Sequence, residues 1–214
     1  MTIKKYLFGF AVLSSIATSA YAVGEGFLIG AQIGQTNTHY PTTANVMTGL
    51  PKPVFVLGTN SNSTGMGGRL FLGYTFNPYI SSEFGLTHYA NTVYKTNGFG
   101  SPAVRENAFD IVARGTWLFG ETGFGVLGKL GLGIMSVTTS PSLAASLSSN
   151  STSAQTSVRP LFGMGVSYDI TQNWVADLTF TRITKGGSLK GNSDFTAFGI
   201  AYHFADKYCG QFLC

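Results

Sequence analysis

The sequence predicts an all-β chain, an eight-stranded antiparallel up-and-down β-barrel that crosses a bilayer, and three observations predict it. Of 214 residues only 10% are charged, while 14% are aromatic and 28 are glycine; a soluble domain carries about a quarter charged residues. Eight segments alternate bulky with small or polar side chains at a period of two, the period of a strand. Short turns and long connections alternate between those segments.

The amino end is read apart from the fold. Lys4 and Lys5 precede YLFGFAVLSSIA, and Ala20-Tyr21-Ala22 places small residues where a signal peptidase needs them. Residues 1–22 are expected to be a signal peptide cleaved near Ala22, 23–204 the barrel, and 205–214 a short periplasmic tail; a retained anchor is the alternative. No run of eighteen apolar residues follows, so spanning helices are not expected. Without Lys4 and Lys5, the 13 Lys and Arg fall to 11 against 9 Asp and Glu, a net charge of +2. That balance gives no reason to expect nucleic acid as a partner.

The strands follow in order. The first, 26–36, sets Phe27, Ile29 and Ile33 against Gly30, Gln32 and Gly34. The second, 67–76, sets Leu70, Leu72 and Tyr74 against Arg69 and Gly73. The third, 79–91, sets Phe84 and Leu86 against Glu83 and Gly85, and the fourth, 107–117, Phe109 and Ile111 against Arg114. In the fifth, 123–137, Val126, Leu130, Leu132 and Ile134 oppose Lys129, Gly131 and Gly133. The sixth, 158–168, opposes Phe162, Met164 and Val166 to Gly163 and Gly165. The seventh, 174–183, opposes Leu178 and Phe180 to Asp177, and the eighth, 194–204, Phe198, Ile200 and Tyr202 to Gly199. Turns at 76–79, 120–123 and 169–173 are built from turn-forming residues, whereas 37–66, 92–106, 138–157 and 184–193 are long. Short turns belong on the periplasmic side of such barrels and long loops outside.

Two faces emerge. The bulky face is expected to meet lipid, and the glycine-rich face, with Gln32, Arg69, Glu83, Arg114, Lys129 and Asp177, to line an interior barely wide enough for side chains. Reversed parity would direct Arg114 or Lys129 into lipid, at about 2–4 kcal/mol near the midplane. Outward positions near the short turns hold Phe27, Phe76, Trp117, Phe124, Tyr168, Trp174 and Phe204, an aromatic belt for a membrane interface.

GFLIGAQIG, GYTFNPYISSEFG (73–85), FGMGVSYDIT and the closing FGIAYHF resemble the transmembrane domain of the outer membrane protein A family and its small opacity-type surface antigens. The resemblance runs to Phe204 and excludes the loops. It implies an outer-membrane barrel of a Gram-negative bacterium, with Phe204, Tyr202 and Ile200 as the assembly signal read by the barrel-insertion machinery. The chain departs from that family in having only ADKYCGQFLC where a large peptidoglycan-binding domain follows, so cell-wall anchoring is not carried over. Ser167 stands where the family has a carboxylate and Asp177 where it has a base, so the interior charges are rearranged.

Counting from the short-turn ends places Glu83, Arg114 and Asp177 at one level, with Gln32 and Lys129 slightly above and Arg69 higher. Glu83 with Arg114 is the expected direct pair, and Asp177 is expected to reach Lys129 or Arg114. A plug that satisfies polar groups and a gate for small ions are the two readings of this cluster. Catalysis is not expected: His203 has Ala201 and Ala205 at its same-face neighbours, and His88 has only Glu83, of opposite parity, nearby. No cofactor is expected. Cys209 and Cys214 are too few ligands for a metal, and their pairing stays open.

The loops carry the remaining expectations. Val54 to Leu57 in the first long loop either contacts a host or envelope protein or continues the barrel as a hairpin above the membrane. The 138–157 loop is low in complexity. Arg182, Lys185 and Lys190 are candidate contacts for lipopolysaccharide phosphates. The resulting reading is an outer-membrane barrel with a structural or surface-interaction role, partnered by lipid and lipopolysaccharide and plugged inside. A small ion channel is the alternative, and a lipid-modifying enzyme with a His–Ser pair between strands is a third.

Overall fold

The computed structural model describes residues 25–39, 61–94, 103–120, 122–139, 154–184 and 191–204. The expected signal segment, Val54 to Leu57, most of the 138–157 loop, Lys185, Lys190 and both cysteines lie outside them.

Eight strands make the barrel: β1 (Gly26–Thr38), β2 (Thr64–Asn77), β3 (Ile80–His88), β4 (Ala103–Leu118), β5 (Phe124–Thr139), β6 (Ala154–Asp169), β7 (Trp174–Ile183) and β8 (Ser193–His203). Each pairs antiparallel with its neighbour in the chain, and β8 returns to β1, so the sheet has no free edge through the membrane. Closure is completed by the Phe204 N–H donating to the Phe27 carbonyl at 2.8 Å.

Inward neighbours traced around the barrel lead from Leu28 through Gly73, Glu83, Val112, Gly131, Leu161, Ile183 and Ser193 back to Thr38. The path ends ten residues beyond its start (38 minus 28), a stagger that tilts the strands by about 40°.

Sequence parity decides which side faces out. Leu72 and Phe84 are 59% and 41% exposed, while Glu83 between their rows is 0% exposed and Gly73 is buried. The same outward placement holds for Ile29, Ile33, Leu70, Leu86, Leu130, Leu132, Met164 and Leu178. This is the inverse of a soluble sheet, because lipid replaces the partner layer that would cover an apolar face.

The short turns are held by side chains that mimic the backbone. Asn77 Oδ1 accepts from the N–H groups of Tyr79 and Ile80, both at 2.9 Å, and Thr171 Oγ1 accepts from that of Trp174 at 3.1 Å. Beside them runs an aromatic girdle. Phe27 and Tyr74, Trp174 and Tyr202, and Tyr202 and Phe204 meet edge to face with centroids 5.2, 5.0 and 4.9 Å apart.

The strands reach farther on the loop side than alternation of apolar residues indicates. β4 begins at Ala103 instead of 107, and β6 at Ala154 instead of 158. Two short strands, Ser61–Asn62 and Thr92–Tyr94, pair with each other, and Thr92 pairs with Val104. Above the lipid, alternation is no longer required, and ladder pairing alone keeps polar segments extended. The third strand is shorter than the expected 79–91. It breaks after His88, where the Ala90 N–H turns to Thr36 Oγ1 at 3.0 Å, and extended pairing resumes at Thr92.

Candidate functional site: the charged interior

The six polar residues that parity assigns to the interior are all buried, and the barrel brings them together around Glu83. Arg69 Nη1 lies 2.8 Å from Glu83 Oε2, and Lys129 Nζ 3.0 Å from the same oxygen. Arg114 Nη1 sits 3.5 Å from Glu83 Oε1 and 3.3 Å from Asp177 Oδ2. Gln32 closes the ring: its Nε2 donates to Asp177 Oδ1 at 2.9 Å, and its Oε1 accepts from Arg69 Nη1 at 3.4 Å.

The expected Glu83–Arg114 pair is present at 3.5 Å and Asp177 reaches Arg114, but two further cations crowd Glu83. Glu83 is nearer to Arg69 and Lys129 than to Arg114. In the β2–β3 register Arg69 stands opposite Thr87, two inward positions above Glu83. Its long side chain bridges that gap, so the height of a Cα does not give the height of a guanidinium.

A seventh member was not singled out from sequence. Asp110 receives Arg69 in a fork, with Nη2 to Oδ1 at 2.5 Å and Nε to Oδ2 at 3.2 Å, and accepts from the Thr87 hydroxyl at 3.1 Å. The signal for it was present, since Asp110 lies between outward Phe109 and Ile111 and must point inward. With Asp110 the cluster is neutral: Arg69, Arg114 and Lys129 against Glu83, Asp110 and Asp177.

Glycine makes the space these side chains fill. A Cβ on Gly85 would come within 2.5 Å of Arg69 Nε and 2.7 Å of Asp110 Oδ1, so any side chain at 85 would force the fork to shift. Gly199 does the same for Gln32 and Asp177, with an added Cβ landing on Asp177 Oδ1 and 2.7 Å from Gln32 Cγ. Phe71 packs beneath, its ring 4.8 Å from Arg69 Cζ and 5.7 Å from Lys129 Nζ.

On the loop side of this cluster the interior turns apolar. Tyr89, Ala108, Val112, Met135, Leu161, Ile183, Phe195 and Ala197 form one packed group, and Tyr89 meets Phe195 at 6.3 Å. These residues come from the wall beyond β3 and from β4 to β8, so the layer spans the lumen. Above it the side chains become polar again, with Ser193 Oγ donating to Glu106 at 2.9 Å and Thr38 and Thr92 hydroxyls 2.6 Å apart. On the turn side a cavity of about 40 Å³ opens among Thr75, Ser81, Arg114, Ser167, Asp169 and His203. Ser167 Oγ, buried there, has no hydrogen-bond partner among the described residues.

The outer positions resolve separately. His203 Nδ1 faces Thr75 Oγ1 at 3.4 Å, His88 Nδ1 faces Asn107 at 2.7 Å, and His39 faces Asp194 at 3.7 Å; none of these partners is a serine. Arg182, read as a phosphate contact, donates through Nε and Nη2 to both oxygens of Asp194 at 2.6 Å. Its charge is already matched within the barrel wall. Ile200 and Phe204 lie on the lipid face, and Tyr202, half-buried, packs between Trp174 and Phe204. No group of His, Cys, Asp and Glu suited to a metal occurs among the described residues.

The model of the outer membrane protein beta-barrel domain matches residues 8–204. An uncharacterized protein of Coxiella burnetii (strain RSA 493 / Nine Mile phase I) is 26% identical over 246 residues, covering 90% of this chain and 98% of that protein. Neisserial surface protein A shares the fold with a TM-score of 0.57 at 17% identity, over 84% of this chain and 97% of its own. The attachment invasion locus protein of Yersinia pestis, solved in complex with the heparin analogue sucrose octasulfate, gives 0.51 at 14%, over 85% and 100%. These two likenesses are of fold alone.

Proposed function

The chain belongs to the outer membrane protein beta-barrel domain family, and on that premise we propose that it is an envelope scaffold for surface interaction, with its long loops as the interacting surface and its interior closed to ions. One observation carries the closed interior: a neutral cluster of three cations and three carboxylates, buried and mutually bonded, lies beneath an apolar layer drawn from six directions around the wall. An ion crossing it would have to shed water against Phe195 and Ile183 and then displace a paired charge. Eight strands leave little lumen once such side chains are in place.

The loop role is supported by the architecture, which concentrates long connections on one side, and by a barrel of like fold having been solved with a polyanion. In this reading Phe204, Tyr202 and Ile200 guide insertion, and cleavage near Ala22 precedes it. Purified protein in planar bilayers tests the closed interior, and silence is the expected result. Steady unitary openings would transfer the protein to the second reading, a small channel. That reading has one observation in its favour: Glu83 has three cations within 3.5 Å and can exchange partners with little movement. Loss of binding to host cells or envelope proteins in variants shortened at 40–60 or 140–153 tests the loop role separately.

A further inference from the structure

The height of the apolar band is not the same all round the barrel. Outward positions can be counted upward from the aromatic girdle, which pins the lower edge on every side through Phe27, Phe204, Trp174, Phe124, Tyr168 and Trp117. Each outward step is two residues along a tilted strand, or about 5 Å of depth. On β5 apolar or glycine positions continue through the fifth and sixth rows, Leu132 and Ile134, and on β6 through Pro160 and Val158. On β7, β8 and β1, three adjacent strands, the fifth row is already polar: Arg182, Thr196 and Gln35. β3 also turns polar at its fifth row, His88, while β2 between it and β1 carries Gly68 and Met66.

The tall wall matches the apolar band of about 25 Å found on outer-membrane barrels, and the β7–β8–β1 wall falls short of it by one or two rows, roughly 5–10 Å. Thr196 and Gln35 are exposed on that wall. Arg182 lies along its neighbour Phe180, guanidinium carbon 5.6 Å from the ring centroid, and is held by Asp194 on the adjacent strand, which faces it directly in register. A level bilayer would sink this polar row into hydrocarbon.

We propose that the bilayer is locally thinned along the β7–β8–β1 wall, with lipid headgroups descending to the level of Arg182, Thr196 and Gln35. The partner is a lipid surface: headgroups meet the polar row, while the β5–β6 wall keeps full-length acyl contact. This shape goes beyond the scaffold reading, and it is independent of whether the lumen conducts. It places the seam between the first and last strands where lipid is thinnest.

Nitroxide labels test it in a Cys209→Ser/Cys214→Ser background folded in dimyristoylphosphatidylcholine vesicles. Thr196→Cys, Gln35→Cys and Leu132→Cys all occupy the fifth outward row, and all three sites are exposed, so a label at any one of them leaves the interior untouched. The water-soluble relaxant should prevail over oxygen at 196 and 35, and oxygen should prevail at 132. Equal preference for oxygen at all three sites would overturn the proposal. Exclusion of both relaxants at 196 and 35 would overturn it too, because another protein surface, such as a second copy, would then cover the short wall.

Discussion

Truncating Glu83 is the perturbation that discriminates most sharply among the interior contacts. Without its carboxylate, Arg69 keeps the fork with Asp110 and Arg114 keeps Asp177, but Lys129, whose ion pair among the described residues is with Glu83, is stranded. Leaving one buried charge without its partner costs about 3–5 kcal/mol. Glu83→Ala should therefore unfold at distinctly lower urea in detergent or vesicles, and Glu83→Ala/Lys129→Met, neutral again, should recover about 2–3 kcal/mol, near the top of the range for contacting residues. A Glu83→Ala variant within 1 kcal/mol of the parent, or a double variant no better than the single one, would refute the assignment of Lys129 as the dependent partner.

Other residues test other layers of the account. Asp110→Asn should cost about 2–3 kcal/mol by removing the charged half of the Arg69 fork, as read from the same unfolding curves. Gly85→Ala should cost about 1–3 kcal/mol by crowding that fork, while Gly128→Ala, whose added methyl meets nothing within 4 Å, should stay within about 0.5 kcal/mol; similar effects at both would remove the packing argument. Leu72→Arg should destabilise the folded barrel by about 2–4 kcal/mol, because the new charge meets lipid. Phe204→Ala should slow assembly in cells, measured as the delay before the chain becomes protease-resistant in the outer membrane, and an unchanged delay would remove this residue from the insertion signal.

Parity made the fold legible. Between Arg69 and Leu86, bulky residues alternate with glycine, charge or small polar residues at all but a few positions, such as inward Phe71 and outward Ser82, and one register fits the pattern. Alternation failed above the membrane, where Glu106, Ser157 and Thr92 remain in or beside strands for reasons of ladder pairing that composition does not display. Within the site, parity fixed which residues point inward, including Asp110 had the count been carried through Phe109 and Ile111. It could not fix partners. Arg69 reaches down to Glu83 and across to Asp110 through the gap left by Gly85, a three-strand coincidence that strand-by-strand reading does not contain. The apolar layer was hidden for a similar reason, since Tyr89, Met135, Ile183 and Phe195 look like departures from a small-residue face until the stagger brings them to one level.

Proton polarization transferred from lipid acyl chains, followed by solid-state NMR on the protein in bilayers, probes this inside-out arrangement most directly. Rapid build-up at Leu70, Leu72, Phe84 and Leu86, with Glu83 and Asp110 remaining dark, is the predicted pattern. Strong transfer to those carboxylates with the leucines silent would mean that the barrel wall faces the other way.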